Sequence, residues 1–195
     1  MSKSMRIIGS SAHTSEERQS RDYYATDPQA LIDFLKQFYT DGETIDKTQI
    51  WEPSCGEGNL SKVLAKHTSY VKNSDIYDYG NNEVLNFLEY SGQWSGDILT
   101  NPPYKIGQKF IEKALELIEN GNKVIMLMRS QFLESKRRYP FFKKTKPKFV
   151  YIHSSRIKIF KNNDQKKYTG AQPLCYAWYI WEKGYEGEPI IRWIP

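Results

Sequence analysis

Apolar positions along the chain follow two spacings, and their alternation predicts the architecture. The first helical spacing begins after Asp27, a good N-cap, with Pro28 in the first turn. Leu31, Ile32, Leu35 and Phe38 then share one face. Residues 48–51 read as a short strand, and residues 59–66 as a helix with Leu60, Val63 and Leu64 inward. Residues 70–76 form a second strand, and Ile98 to Thr100 end a third. The clearest helix spans 107–120, with Phe110, Ile111, Ala114, Leu115 and Ile118 as its stripe and Gly121 as its stop. Residues 123–128 contain a continuous apolar run from Val124 to Met128, the signature of a strand covered on both faces. A basic helix at 133–142 comes next, then strands at 148–153 and 157–160, and a late aromatic-rich strand at 175–181. Strands alternating with helices predict βαβ units, hence an α/β fold with a largely parallel sheet.

Composition narrows the class. The chain has 195 residues, 39% of them hydrophobic and 14% aromatic, which suits one folded domain and excludes a disordered chain. Residues 1–22 are polar and are expected to form a flexible arm, leaving 23–195 as a single domain. The longest apolar run, 174–181, is far too short to span a membrane, and no apolar stretch near the start resembles a secretion signal, so a cytoplasmic protein without a membrane partner is expected. Two cysteines, Cys55 and Cys175, and three histidines build neither a disulfide framework nor a spaced metal site, so no metal is expected.

Charge adds a partner. Residues 136–167 hold twelve basic side chains against one acid, Asp164. That stretch carries +11, while the rest of the chain carries −6. Aromatic residues are interleaved with the cations, a pattern suited to phosphates and bases. Lys136, Arg137, Arg138, Lys143, Lys144, Arg156 and Lys158 are the expected nucleic-acid contacts.

Two further segments carry candidate chemistry. Residues 51–60, Trp-Glu-Pro-Ser-Cys-Gly-Glu-Gly-Asn-Leu, come after a strand and open a helix, and their glycines allow close backbone approach to a ligand. The third glycine of the dinucleotide fingerprint is missing, and no Gly-Lys-Ser/Thr is present after the loop. Nineteen residues beyond Gly56 stands Asp75, placed to accept hydrogen bonds from ribose hydroxyls, with Asp78 as the rival position. Together these point to an adenosine-containing cofactor without a pyrophosphate. Asn101-Pro102-Pro103-Tyr104 then falls at a strand end. Its prolines stiffen the backbone and remove two N–H donors. The Asn101 side chain and the Pro102 carbonyl are two acceptors for the hydrogens of a planar amine, and Tyr104 is a flat wall beside it. Those bonds localise the nitrogen lone pair, so the amine attacks a methyl sulfonium directly, without a strong base.

These residues resemble the class I S-adenosylmethionine-dependent methyltransferases that modify amino groups. More narrowly, the chain is similar to the small DNA adenine-N6 methylases of bacteriophages and prophages. Tyr24-Ala25-Thr26-Asp27-Pro28 resembles the motif that closes over the methionine end of the cofactor. Residues 52–58 resemble the glycine loop, and residues 101–104 match the Asn-Pro-Pro-Tyr signature. Asn86-Phe87-Leu88 stands where that group often has Asp-Phe-Leu against the cofactor adenine. The resemblance implies a Rossmann-like seven-stranded sheet with a late antiparallel strand and helices on both faces. It implies S-adenosylmethionine as cofactor, held by Tyr24, Thr26, Glu52, Ser54, Gly56, Gly58, Asp75, Asn86 and Asn101. It also implies adenine-N6 methylation of a flipped base in duplex or single-stranded DNA. No separate target-recognition domain is evident, so a short or loosely specified site is expected. Amine methylation of RNA or of protein glutamine, and a catalytically silent nucleic-acid-binding module, are the alternatives.

Overall fold

The computed structural model describes residues 24–161 and 174–195. The expected N-terminal arm lies outside the described residues, as do Lys166 and Lys167 of the basic stretch and the side chains of Tyr24 and Lys161.

The elements run in chain order as β1 (Tyr24–Thr26), α1 (Pro28–Thr40), β2 (Gln49–Glu52), α2 (Ser61–Leu64), β3 (Tyr70–Asp75), β4 (Glu83–Val84), β5 (Asp97–Thr100), α3 (Gly107–Leu117), β6 (Lys123–Arg129), α4 (Tyr139–Lys144), β7 (Phe149–His153), β8 (Ile159–Lys161), β9 (Tyr176–Glu182) and β10 (Ile190–Ile194). The main sheet has the order β10-β7-β9-β6-β5-β2-β3-β4. Every neighbouring pair is parallel except those of β9, which runs antiparallel to both β6 and β7. The late reversed strand is therefore present. The sheet has eight strands rather than the expected seven, because β10 adds an outer edge beside β7. The chain leaves β9 through the turn after Glu182, and β7 already occupies the place beside it.

Helices cover both faces, which explains the unbroken apolar runs. Along β6, Ile125 and Leu127 enter the core beneath α1 and α2, while Val124, Met126 and Met128 enter the core beneath α3 and α4. Along β9, Trp178 and Ile180 take the first side and Ala177, Tyr179 and Trp181 the second. Alternating side chains on a strand covered twice must all be apolar.

Further expectations change. Ile32 is 41% exposed, and α1 buries Ala30, Leu31, Phe34, Leu35 and Phe38 instead. Ile32 lies about 100° around the helix from Leu31, off the inward stripe. The helix expected at 59–66 shrinks to Ser61–Leu64, because Gly56 (φ +51°) and Gly58 (φ +76°) keep the preceding chain in turns. The basic helix expected at 133–142 splits into a 3-10 turn at Ser130–Leu133 and α4 at Tyr139–Lys144. Pro140 has no N–H to donate back to residue 136, so α4 starts at Tyr139. Finally, β8 does not join the main sheet. It pairs antiparallel with β1, a strand that apolar spacing did not reveal.

Trp178 ties α1 to the sheet. Its ring stacks on Phe34 at 5.0 Å, and its indole N–H donates to the Ala30 carbonyl and to His153 Nε2. Burial pushes His153 down to about 4, so its ring is neutral and accepts. Trp178→Ala is expected to cost about 3–5 kcal/mol in denaturant unfolding, and Trp178→Phe distinctly less.

Candidate active site

The chain leaves β2 toward β3 and β4, then returns to β5 on the other side of β2 and continues to β6. Open α/β sheets bind ligands at such a reversal, beyond the carboxyl ends of the strands. A cavity of about 280 Å³ lies there. Its polar lining includes Thr26, Glu52, Ser54, Asp75, Asn86 and Asn101, and its apolar lining includes Ile76, Leu85, Phe87, Ile106 and Phe110.

Asn101 is held from two sides. Its Nδ2 donates to Thr26 Oγ1 at 2.9 Å, and its backbone carbonyl accepts from Ser54 Oγ at 3.1 Å. The Ser54 hydroxyl also meets Thr100 Oγ1 at 2.7 Å. Thr26 arrives on β1, which is clasped by β8 and by a hydrogen bond from the Asp27 N–H to the Lys158 carbonyl. Pro102, Pro103 and Tyr104 continue from Asn101 around the same cavity. The Tyr104 ring packs 5.7 Å from the Tyr176 ring, and burial raises its hydroxyl well above the ordinary phenol range, so it is protonated.

The carboxylates differ in their support. Glu52 is 2% exposed and accepts from Ser61 Oγ, yet burial pushes it up to about 8 and nearby Asp75 adds to the rise. Asp75 is 7% exposed. Burial raises it too, but the N–H groups of Gly56 (3.0 Å) and Tyr77 (3.1 Å) offset part of that. Burial beside these two acids pushes the Cys55 thiol up to about 12, which leaves no thiolate nucleophile.

The fold gathers most of the expected site. Asn101, Pro102, Pro103 and Tyr104 line the cavity together with Thr26, Glu52, Ser54, Asp75 and Asn86. The Asn86 side chain also caps its own turn, accepting from the Leu88 N–H. Gly56 and Gly58 do not line this cavity. They border a neighbouring one with Glu57, Ser61 and Lys62, and Gly56 serves the site by donating to Asp75.

The expected basic contacts separate. Arg156 and Lys158 come after β7 at the cavity edge of the sheet and are exposed. Lys136 instead lines a shallow flank groove with Tyr139, Phe142, Lys146 and Pro189. Lys143 and Lys144 sit on α4, whose next residue, Thr145, accepts from the Trp181 indole beside the start of β6, toward the opposite sheet edge. Arg137 is exposed in the turn before α4. Arg138 is committed within the fold: its guanidinium donates to the carbonyls of Gln131, Phe132 and Glu134 and lies over the Phe132 ring.

Sequence reasoning missed Asn59, whose Nδ2 reaches the Thr26 carbonyl at 3.4 Å, and Arg129 and Tyr176 beside Tyr104. Arg129 had a signal, since it is the first polar residue after a buried run, at the carboxyl end of the strand next to β5.

A mostly parallel sheet with one reversed strand and a cavity at its switch point is the arrangement found in class I S-adenosylmethionine-dependent methyltransferases. Solved structures share the fold. A proposed class I methyltransferase of this kind from Listeria monocytogenes aligns at 12% identity over 84% of this chain and 63% of its own, with a TM-score of 0.56. A protein from Pyrococcus horikoshii proposed to be an RNA methyltransferase aligns at 18% identity over 83% and 87%, with a TM-score of 0.59. The type I restriction-modification methyltransferase subunit from Streptococcus thermophilus aligns at 11% identity over 87% and 47%, also with a TM-score of 0.59. No curated protein matches the sequence significantly. The family model for DNA N-6-adenine-methyltransferase (Dam) matches residues 65–191, well over half of the chain, and the chain belongs to that family.

S-adenosylmethionine is the cofactor of this class and family. The cavity fits it: two buried carboxylates suit ammonium and hydroxyl donors, and Ile76, Leu85 and Phe87 suit a flat purine. Among the described residues no cluster of His, Cys, Asp and Glu could hold a metal ion, and no helix is long and apolar enough to cross a membrane.

Thr26→Val removes the acceptor for Asn101 Nδ2 and should lower kcat roughly tenfold with KM for S-adenosylmethionine unchanged, while Thr26→Ser should restore it. A raised KM for the cofactor would instead make Thr26 a cofactor ligand. Glu52 binds its proton more tightly folded than unfolded, so its contribution to stability is full below about pH 4.5 and is lost as pH rises through about 8. Melting curves without cofactor should show Glu52→Gln gaining on the wild type steadily from pH 5 to pH 8.

Proposed function

We propose that this chain methylates the exocyclic N6 amine of adenine in DNA, acting on a base turned out of the helix into the cleft at Asn101–Tyr104. One observation carries the reading: the Asn-Pro-Pro-Tyr run lines the cavity, with its asparagine amide held in place, in a chain of the Dam family.

In this reading Glu52 accepts from the ammonium of the cofactor, Asp75 from its ribose, and Ile76, Asn86 and Phe87 flank its adenine. The bound cofactor supplies an electrophilic methyl on a cationic sulfur. Asn101 and the Pro102 carbonyl accept the two hydrogens of the target amine. With Nδ2 engaged by Thr26, the amide oxygen is the end presented to the amine. These bonds draw the lone pair out of conjugation and aim it. With the cofactor bound, that sulfonium would supply the methyl group, and the extra proton on the amine would leave to solvent. Tyr104, protonated and flat, holds the base by stacking rather than by acid–base chemistry. Cys55 takes no part.

Arg156 and Lys158 grip the backbone beside the cleft. Residues 130–148, which connect β6 to β7, offer little surface for base reading, which favours a short or loosely specified site.

Tritiated-methyl transfer from labelled S-adenosylmethionine to unmethylated duplex DNA, single-stranded DNA, RNA and protein tests the reading. Label recovered as N6-methyladenine in DNA is expected. Label confined to RNA or protein overturns the substrate, and no label together with no cofactor binding overturns the enzyme. Asn101→Ala should cut kcat at least 100-fold while cofactor and DNA affinity stay within a few fold.

A further inference from the structure

β6 delivers Arg129 to the same sheet edge as Asn101, one strand away. The Arg129 guanidinium carbon lies 5.1 Å from the centroid of the Tyr104 ring, and the side chain also interacts with the Tyr176 hydroxyl. Arg129 Nε is nevertheless buried and donates to nothing. The hydroxyl of the next residue, Ser130, is buried in the same condition. Among the described residues no carboxylate pairs with Arg129. A second guanidinium comes close: Arg156 donates to Cys175 Sγ, and the Cys175 carbonyl accepts the Ser130 N–H at 2.9 Å.

Buried donors are nearly always satisfied, and exceptions call for a cause. A brace for Tyr104 would explain the cation over the ring. It would not explain why, among the described residues, Arg129 Nε and the Ser130 hydroxyl lack acceptors and the Arg129 guanidinium faces no carboxylate. What this arrangement lacks is an anion with several acceptor oxygens, and a phosphodiester has that chemistry.

We infer that Arg129 and Ser130 form the binding site for the backbone phosphate of the nucleotide whose base enters the cleft, and that Arg129 leaves the Tyr104 ring to reach it. The inference rests on the DNA reading above. A planar guanidinium covers an aromatic face much as a base does. Its departure uncovers Tyr104 as it carries the cation toward the phosphate. Base entry and backbone capture are then one movement, and Arg129 is not left buried beside the incoming ring without a partner.

The test uses the full chain and the duplex it methylates, with 2-aminopurine at the mapped target adenine. Arg129→Gln should bind that duplex roughly tenfold more weakly. It should flatten the dependence of log K on log salt by about one unit and lose most of the fluorescence rise that reports extrusion, with cofactor affinity unchanged. Arg129→Lys keeps the charge and should keep the salt slope while recovering only part of the affinity. Ser130→Ala should weaken binding without changing the slope. Melting temperatures separate binding loss from misfolding, and the lysine variant serves if the glutamine variant does not fold. An unchanged slope and fluorescence rise in Arg129→Gln would make Arg129 a brace and overturn the inference. A wild-type chain that methylates no DNA would overturn the underlying reading first, and this inference with it.

Discussion

The Ser54 hydroxyl joins two strands whose connections pull them apart. β2 leads toward β3 and β5 toward β6, so a gap opens beyond their carboxyl ends. Ser54 Oγ spans it, meeting Thr100 Oγ1 at 2.7 Å and the Asn101 carbonyl at 3.1 Å. That joins the loop after β2 to the run that carries Asn101. The backbone of Asn101 is thereby held from the β2 side and its side chain from Thr26 on the other. Pro102 and Pro103 stiffen the chain between Asn101 and Tyr104. Chemistry that depends on alignment rather than on a strong acid or base needs this kind of support.

The electrostatics divide along the same line. Inside the cavity stand two buried carboxylates, Glu52 and Asp75, both raised by burial and so both favoured by a cationic or hydrogen-bond-donating ligand. Outside it stand the exposed Arg156 and Lys158, with Arg129 against the Tyr104 ring. On the proposed reading, the cationic cofactor and the polyanionic substrate would then meet different zones, carboxyl groups inside and cations outside. The small β1–β8 ribbon links the two zones, since the Lys158 carbonyl holds the Asp27 N–H one residue beyond Thr26.

Much of this was legible in the order of residues. The run 124–128 had to be a doubly covered strand, because no one-sided surface tolerates so long an apolar run. The acid nineteen residues beyond Gly56 had to lie near the glycine loop, because one βαβ unit separates them, and its carboxylate does accept the Gly56 N–H. The failures are equally physical. Ile32 is apolar but off the inward stripe of α1. The contiguous basic stretch reads as one patch, yet α4 and the loop after β7 carry successive parts of it to opposite sheet edges, because a crossover must run back along the sheet before the next parallel strand begins. Arg138 looks like any surface cation until its three carbonyl partners are seen.

Periodicity, strand ends and short motifs are local properties of the chain, so the order of residues was enough to define the fold class and to name most of the polar side chains that meet at the cavity. Long-range contacts are not written locally. That Thr26 holds Asn101 across 75 residues, that Ser54 bridges β2 and β5, and that Arg129 lies over Tyr104 emerged only from the folded chain. Those contacts join segments distant in sequence, and their geometry exists only once the sheet order has set which strand ends are neighbours.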